Sequence, residues 1–194
     1  MIRRTKTRPV SVGGVQIGGG APVVVQSMTC TDTRDVGATV GQIEALEEAG
    51  CEIIRVAVPD MEAAVAIAGI RKQIRIPLIA DIHFNHRLAL EAMKQGADGI
   101  RINPGNMAVD KLKTVVRAAR SREVAIRIGI NAGSLERDLL EKYGGPAPNA
   151  LVESALRCID LFESMNFRSI KLSLKSSDVP TMIESYRAMA GKTD

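Results

Sequence analysis

Four tripeptides place a single cation between two aliphatic residues: Ile54-Arg55-Val56, Ile100-Arg101-Ile102, Ile126-Arg127-Ile128 and Ile170-Lys171-Leu172. In an extended chain successive side chains alternate, so the aliphatics face one way and the cation the other. The polar face continues with Gln26 and Met28, Asp81 and His83, Arg101 and Asn103, Arg127 and Asn131, and Lys171, Ser173 and Lys175. Arg55, Arg101 and Arg127, at equivalent points of their segments, converge with at least one of Lys171 and Lys175, and only Asp81 opposes them on that face. Two like charges about 6 Å apart repel by roughly 3 kcal/mol at an effective dielectric near 20. A small molecule carrying more than one phosphate relieves that repulsion. Arginine suits the task because its planar fork binds phosphate oxygens in pairs and keeps its proton. Asn103 and Asn131 can donate amide hydrogen bonds to the same oxygens, His83 can donate a hydrogen bond or a proton, and Asp81 is the candidate catalytic carboxylate.

The competing reading is structural, with the cations paired to carboxylates inside a barrel. Lys171, deeper than Lys175, is the residue that reads most readily as filler. His86, on a starting helix, reads as a surface side chain, and Cys30 as an incidental thiol at the mouth. Gly18-Gly19-Gly20 precedes a strand instead of joining strand to helix, so it is no phosphate loop.

The elements that must position these residues alternate strictly. Strands are expected at Val23–Met28, Ile53–Val58, Leu78–His83, Ile100–Asn103, Ile126–Asn131 and Ile170–Lys175, each a β-branched run bounded by Gly, Pro or polar residues. Helical patterns lie between them. One carries Val36, Val40, Ile43 and Leu46 and ends at Gly50; another carries Leu112, Val115, Val116 and Ala119; a third carries Leu151, Ala155, Cys158, Ile159 and Phe162. The last begins at Ser177 or Asp178 with Pro180 in its first turn. Ahead of them, Val10-Ser11-Val12 and Val15-Gln16-Ile17 flank Gly13-Gly14 as a hairpin that can plug the N-terminal end of a barrel.

Alternation of strand and helix predicts parallel pairing with right-handed crossovers. An open sheet packed on both faces would show continuous apolar strands. One aliphatic and one polar face instead predict a (β/α)8 TIM-type barrel with strand ends pointing into the mouth. Six units are present, so residues 1–194 read as an incomplete barrel domain.

Composition narrows the class further. Among 194 residues, 45% are hydrophobic and 25% charged, which excludes wholesale disorder, and no apolar run is long enough for a membrane span. Arg3, Arg4, Lys6 and Arg8 are not followed by an apolar segment, so no signal peptide is expected. With no Trp, two Tyr and three Phe, the chain has little on which to stack bases, which argues against nucleic acid. Cys30, Cys51 and Cys158 are an odd, unpatterned set suited to a reducing cytoplasm.

Five segments also resemble a known family in order and spacing: Val25-Gln26-Ser27-Met28-Thr29, Ala80-Asp81-Ile82-His83-Phe84, Arg101-Ile102-Asn103-Pro104-Gly105-Asn106, Arg127-Ile128-Gly129-Ile130-Asn131-Ala132-Gly133-Ser134-Leu135 and Lys171-Leu172-Ser173-Leu174-Lys175. From about Arg8 onward the chain resembles the bacterial 4-hydroxy-3-methylbut-2-enyl diphosphate synthases. The resemblance implies a late step of the non-mevalonate isoprenoid pathway. In it, 2-C-methyl-D-erythritol 2,4-cyclodiphosphate is opened reductively, loses water and gives the linear allylic diphosphate. It also implies a [4Fe-4S] cluster fed by ferredoxin or flavodoxin, a homodimer, and a separate C-terminal domain holding the cluster on three cysteines and a glutamate. By matching motifs, Arg55, Arg101, Asn103, Arg127, Asn131 and Lys175 would be diphosphate ligands, with His83 nearby.

The cluster-binding cysteine motifs have no counterpart here, so this chain is expected to carry no cluster and to be inactive alone. A pterin-binding barrel resembling dihydropteroate synthase and a stand-alone anion-binding fragment are the alternatives. Cysteine motifs downstream of Asp194 would decide for the first assignment.

Overall fold

In the computed structural model, which describes residues 6–193, two short strands are followed by six parallel β/α units. Strands β1 (Val10–Val12) and β2 (Val15–Ile17) form the antiparallel hairpin, with Val12 opposite Val15. Gly13 and Gly14 turn it at φ 54° and 91°, the positive values that this two-residue turn demands.

The remaining strands are β3 (Gln26–Met28), β4 (Ile53–Ala57), β5 (Leu78–Ile82), β6 (Gly99–Ile102), β7 (Ala125–Asn131) and β8 (Ile170–Lys175). They pair in parallel in chain order, β3 to β8. The helices are α1 (Val36–Glu48), α2 (Met61–Arg71), α3 (His86–Lys94), α4 (Val109–Ser121), α5 (Arg137–Tyr143), α6 (Pro148–Ser164) and α7 (Val179–Ala190). Asp35, Asp60, Asn85 and Asp178 cap α1, α2, α3 and α7 by accepting from backbone amides of the first turn. Each such cap stabilises its helix by about 0.5–2 kcal/mol.

The two faces of the sheet have different fates. Ile54, Val56, Leu78, Ala80, Ile100, Ile102, Ile126 and Ile128 point outward into the main core, against Ile43, Ile67, Ala89, Val115, Leu151 and Phe162 of the helices. The N-terminal end of the inner face is apolar. There Ile53, Ile79 and Ala125 pack with Val10 and Val12 of the hairpin. The hairpin is the plug that the sequence predicts.

Three expectations need correction. The first strand was expected from Val23, but the ladder starts at Gln26 because the Val25 amide donates to Glu52 Oε2 at 2.7 Å, leaving the side chains of Val23 and Val25 outside the core. The third and fourth strands end at Ile82 and Ile102, since His83 leaves the ladder and Asn103 caps a 3-10 turn over Pro104–Asn106. Helix α5 and a second 3-10 turn, Ala132–Ser134, were not expected, being too short to show a hydrophobic period. The second and fifth strands shift by one residue at an end, and the sixth stands as expected.

Candidate functional site: a cationic inner face

Above the hairpin plug the inner face becomes charged. Asp81 lies opposite Arg101, Arg101 opposite Arg127, and Arg127 opposite Lys171, so one row crosses four strands. Asn131 lies opposite Lys175 at the C-terminal end. Arg55 does not share this row, contrary to the expectation of equivalent points. It pairs with Ile79, two residues behind Asp81 in the register. The stagger of tilted barrel strands still brings its side chain to the same carboxylate.

Asp81 is 5% exposed and is the hub. Its Oδ2 lies 3.5 Å from Arg55 Nε, and its Oδ1 lies 3.2 Å from Arg101 Nη1 and 3.4 Å from His83 Nε2. The Arg55 Nε also donates to Met28 Sδ at 3.2 Å. His83 is largely exposed and meets the Phe84 ring edge-on. The structural reading is therefore satisfied for Arg55 and Arg101. Arg127 and Lys171 have no hydrogen bond or ion pair among the described residues. Burial, then the Arg55 guanidinium, lowers the pKa of Arg127. Burial, then Arg127 and Arg55, pushes the Lys171 amine down to about 8. Both residues, with Arg55, Gln26 and Ile53, line an open cavity of about 570 Å³.

The two asparagines are held by the loops they begin. Asn103 Oδ1 accepts from the Gly105 amide at 3.2 Å, and its Nδ2 donates to Ser134 Oγ at 2.9 Å. Asn131 Oδ1 accepts from the Gly133 amide at 3.2 Å, while its carbonyl accepts from Ser134 Oγ at 3.3 Å. Ser134 thus ties the loops after β6 and β7 together. Lys175 is exposed at the end of β8. Ser134 was missed because its role depends on a contact across 31 residues; no local spacing carries it.

The thiols do not fit an iron–sulfur cluster. Cys51, in the connection between α1 and β4, and Cys158, on α6, are both buried, and burial pushes the Cys158 thiol up to about 12. Cys30 is exposed and accepts from Gln42 Nε2 at 3.0 Å. Among the described residues no group of three or more His, Cys, Asp or Glu could hold a metal ion. Such clusters need several thiolates held close together.

Parallel β/α units wrapped around a cationic inner face define a TIM-type barrel domain. Residues 7–194 match the GcpE TIM-barrel domain, and the chain belongs to that family. It is 58% identical over 195 residues to the 4-hydroxy-3-methylbut-2-en-1-yl diphosphate synthase (flavodoxin) of Thermodesulfovibrio yellowstonii, covering 100% of this chain and 56% of the relative. The protein of the same name from Acidithiobacillus ferrooxidans is 54% identical over 194 residues, covering 100% of this chain and 53% of the relative. The chain therefore spans about half the length of these relatives. A solved dihydropteroate synthase of Xanthomonas albilineans superimposes with a TM-score of 0.64 at 15% identity, over 94% of this chain and 71% of that one. At that identity the likeness shows the barrel fold alone. No helix among the described residues is long and apolar enough to cross a membrane.

Proposed function

We propose that this chain is the substrate-binding barrel of a cytoplasmic 4-hydroxy-3-methylbut-2-enyl diphosphate synthase. Arg55, Arg101, Arg127 and Lys175 hold the diphosphate of 2-C-methyl-D-erythritol 2,4-cyclodiphosphate, with Asn103 and Asn131 at the rim and His83 beside it. The supporting observation is the charge imbalance: Asp81 pairs with Arg55 and Arg101 together, while Arg127 stands beside Arg101 with no acid in ion-pair contact among the described residues. A diphosphate supplies the missing negative charge and accepts paired hydrogen bonds from the guanidinium forks. Asp81 keeps two of those forks aimed and holds His83 within reach of the ligand, where the imidazole can donate a hydrogen bond or a proton. The Ser134 tie fixes the rim loops, so the Asn103 and Asn131 amides need little reordering when ligand arrives.

In the complete protein the reductive ring opening draws electrons through a [4Fe-4S] cluster. On this reading the cluster sits in a C-terminal domain beyond this chain, in a homodimer. Flavodoxin, which appears in the relatives' names, is the favoured electron donor over ferredoxin. Calorimetric titration of the chain with the cyclodiphosphate, inorganic diphosphate and a pterin diphosphate tests the reading. Binding of the first two is expected. Binding of the pterin diphosphate with no heat from the cyclodiphosphate would overturn it in favour of a pterin-binding barrel.

A further inference from the structure

Lys171 is a lysine that the diphosphate reading leaves unused. It is the second residue of β8, directly across the ladder from Arg127, and its side chain lines the cavity of about 570 Å³ on the inner face. It also borders a second cavity, about 470 Å³, shared with Arg8, Asp160, Glu163, Arg168, Tyr186 and Lys192. None of those groups is bonded to it, and Arg127 and Arg55 are the charges that set its titration. A primary amine desolvated beside two guanidinium groups holds its proton weakly and is nucleophilic near neutral pH. At pH about 8 a large share of Lys171 is the free base.

We propose that Lys171 is a covalent capture site for small aldehydes that carry a phosphate, with Arg127 and Arg55 holding the phosphate while the amine attacks the carbonyl carbon. A C–N bond forms, the carbonyl oxygen leaves as water with both amine hydrogens, and an imine remains. No oxidant or reductant is consumed. The proposal rests on the anion-binding reading of Arg55 and Arg127 and is independent of the identity of the cyclodiphosphate.

The test uses pyridoxal 5′-phosphate as the probe, at pH about 8. The imine is trapped with borohydride and the modified peptides are mapped by mass. Lys171 should be labelled before the surface lysines, at least about tenfold faster by pyridoxal phosphate than by pyridoxal, since phosphate–arginine pairing is worth that factor. Excess inorganic diphosphate should slow the labelling, and Lys171→Arg, which keeps the charge, should abolish it. Label spread over surface lysines with Lys171 unmodified overturns the proposal. Diphosphate binding without label at Lys171 overturns it alone. Equal labelling by pyridoxal and its phosphate, with no diphosphate binding, overturns both this proposal and the anion-site reading.

Discussion

The guanidinium of Arg101 lies flat against Gly129 of the neighbouring strand. A Cβ at position 129 would stand 2.7 Å from Arg101 Nε, 2.8 Å from Nη2 and 3.0 Å from Cζ. Only glycine leaves room for the guanidinium to sit over β7 while its Nη1 reaches Asp81 of β5 on the other side. The obstructing atoms are the far end of a flexible side chain, so a methyl group there displaces Arg101 and leaves the backbone in place.

Gly129→Ala should therefore weaken diphosphate binding by about 1.5–3 kcal/mol, the range for a lost hydrogen bond to a charged group. The melting temperature should fall modestly, because Asp81 keeps Arg55 but loses Arg101. In a double-mutant cycle Gly129→Ala and Arg101→Ala should be strongly non-additive, because both remove the same contact. Calorimetry on the four proteins decides the matter, and additive losses would mean that Gly129 acts through the fold.

Asp81→Asn should destabilise the chain, because it leaves Arg55 and Arg101 facing each other and Arg127 without a carboxylate among them. Breaking a buried pair costs about 3–5 kcal/mol, and the partly exposed arginines place this case at the low end. Saturating diphosphate should restore more stability to the variant than it adds to the parent. Denaturant melts with and without diphosphate measure both effects.

Much of this arrangement was legible in the amino-acid order. The aliphatic–cation–aliphatic tripeptides revealed a two-faced strand, and the register confirms that Arg101, Arg127 and Lys171 share a row. The Gly13-Gly14 turn was equally plain, and the cap of the last helix was narrowed to Ser177 or Asp178, of which the structure uses Asp178, because each is decided by its own few residues. The displacement of Arg55 was hidden, since stagger between strands is a property of the assembled sheet. The role of Gly129 is hidden in the sequence for the reason that hides Ser134: its partner is distant in the chain.

Ser134→Ala removes the oxygen that accepts from Asn103 and donates to the Asn131 carbonyl. About 1 kcal/mol of stability should be lost, the usual net worth of such a hydrogen bond. Hydrogen exchange should speed up in both the Pro104–Asn106 and Ala132–Ser134 turns. Faster exchange in one turn alone would show that the two loops are not coupled through this hydroxyl.

Lys171 should leave a signature in the pH dependence of stability. The unfolded chain keeps the proton up to about its ordinary 10.5, whereas the folded protein releases it near about 8. Between those values the unfolded state binds more protons, so this residue makes stability rise with pH across that window. Below it the burdened, protonated amine destabilises the fold fully. Lys171→Met should be more stable than the parent at neutral pH, and the difference should shrink as pH rises. Urea melts of both proteins at intervals from neutral pH upward test the sign, and a difference that grows with pH would contradict it.

Arg127 is the cation most exposed to the test of function, because it has neither a carboxylate nor a hydrogen bond among the described residues and lines the inner cavity. If that cavity holds the diphosphate, Arg127→Ala should cost about 2–4 kcal/mol of binding, as when a charged partner of a buried anion is removed. Arg127→Lys should recover part of the loss, because a point charge replaces a two-pronged donor. Lys113→Ala on the outer helix α4 should change binding by less than about 0.5 kcal/mol. Stability should move the other way: removing a desolvated cation that repels Arg55 and Arg101 should raise the melting temperature of Arg127→Ala in the absence of ligand. A variant that is more stable yet binds less identifies a residue kept for the anion. A variant that binds as tightly as the parent returns Arg127 to the structural reading, and the diphosphate assignment falls with it.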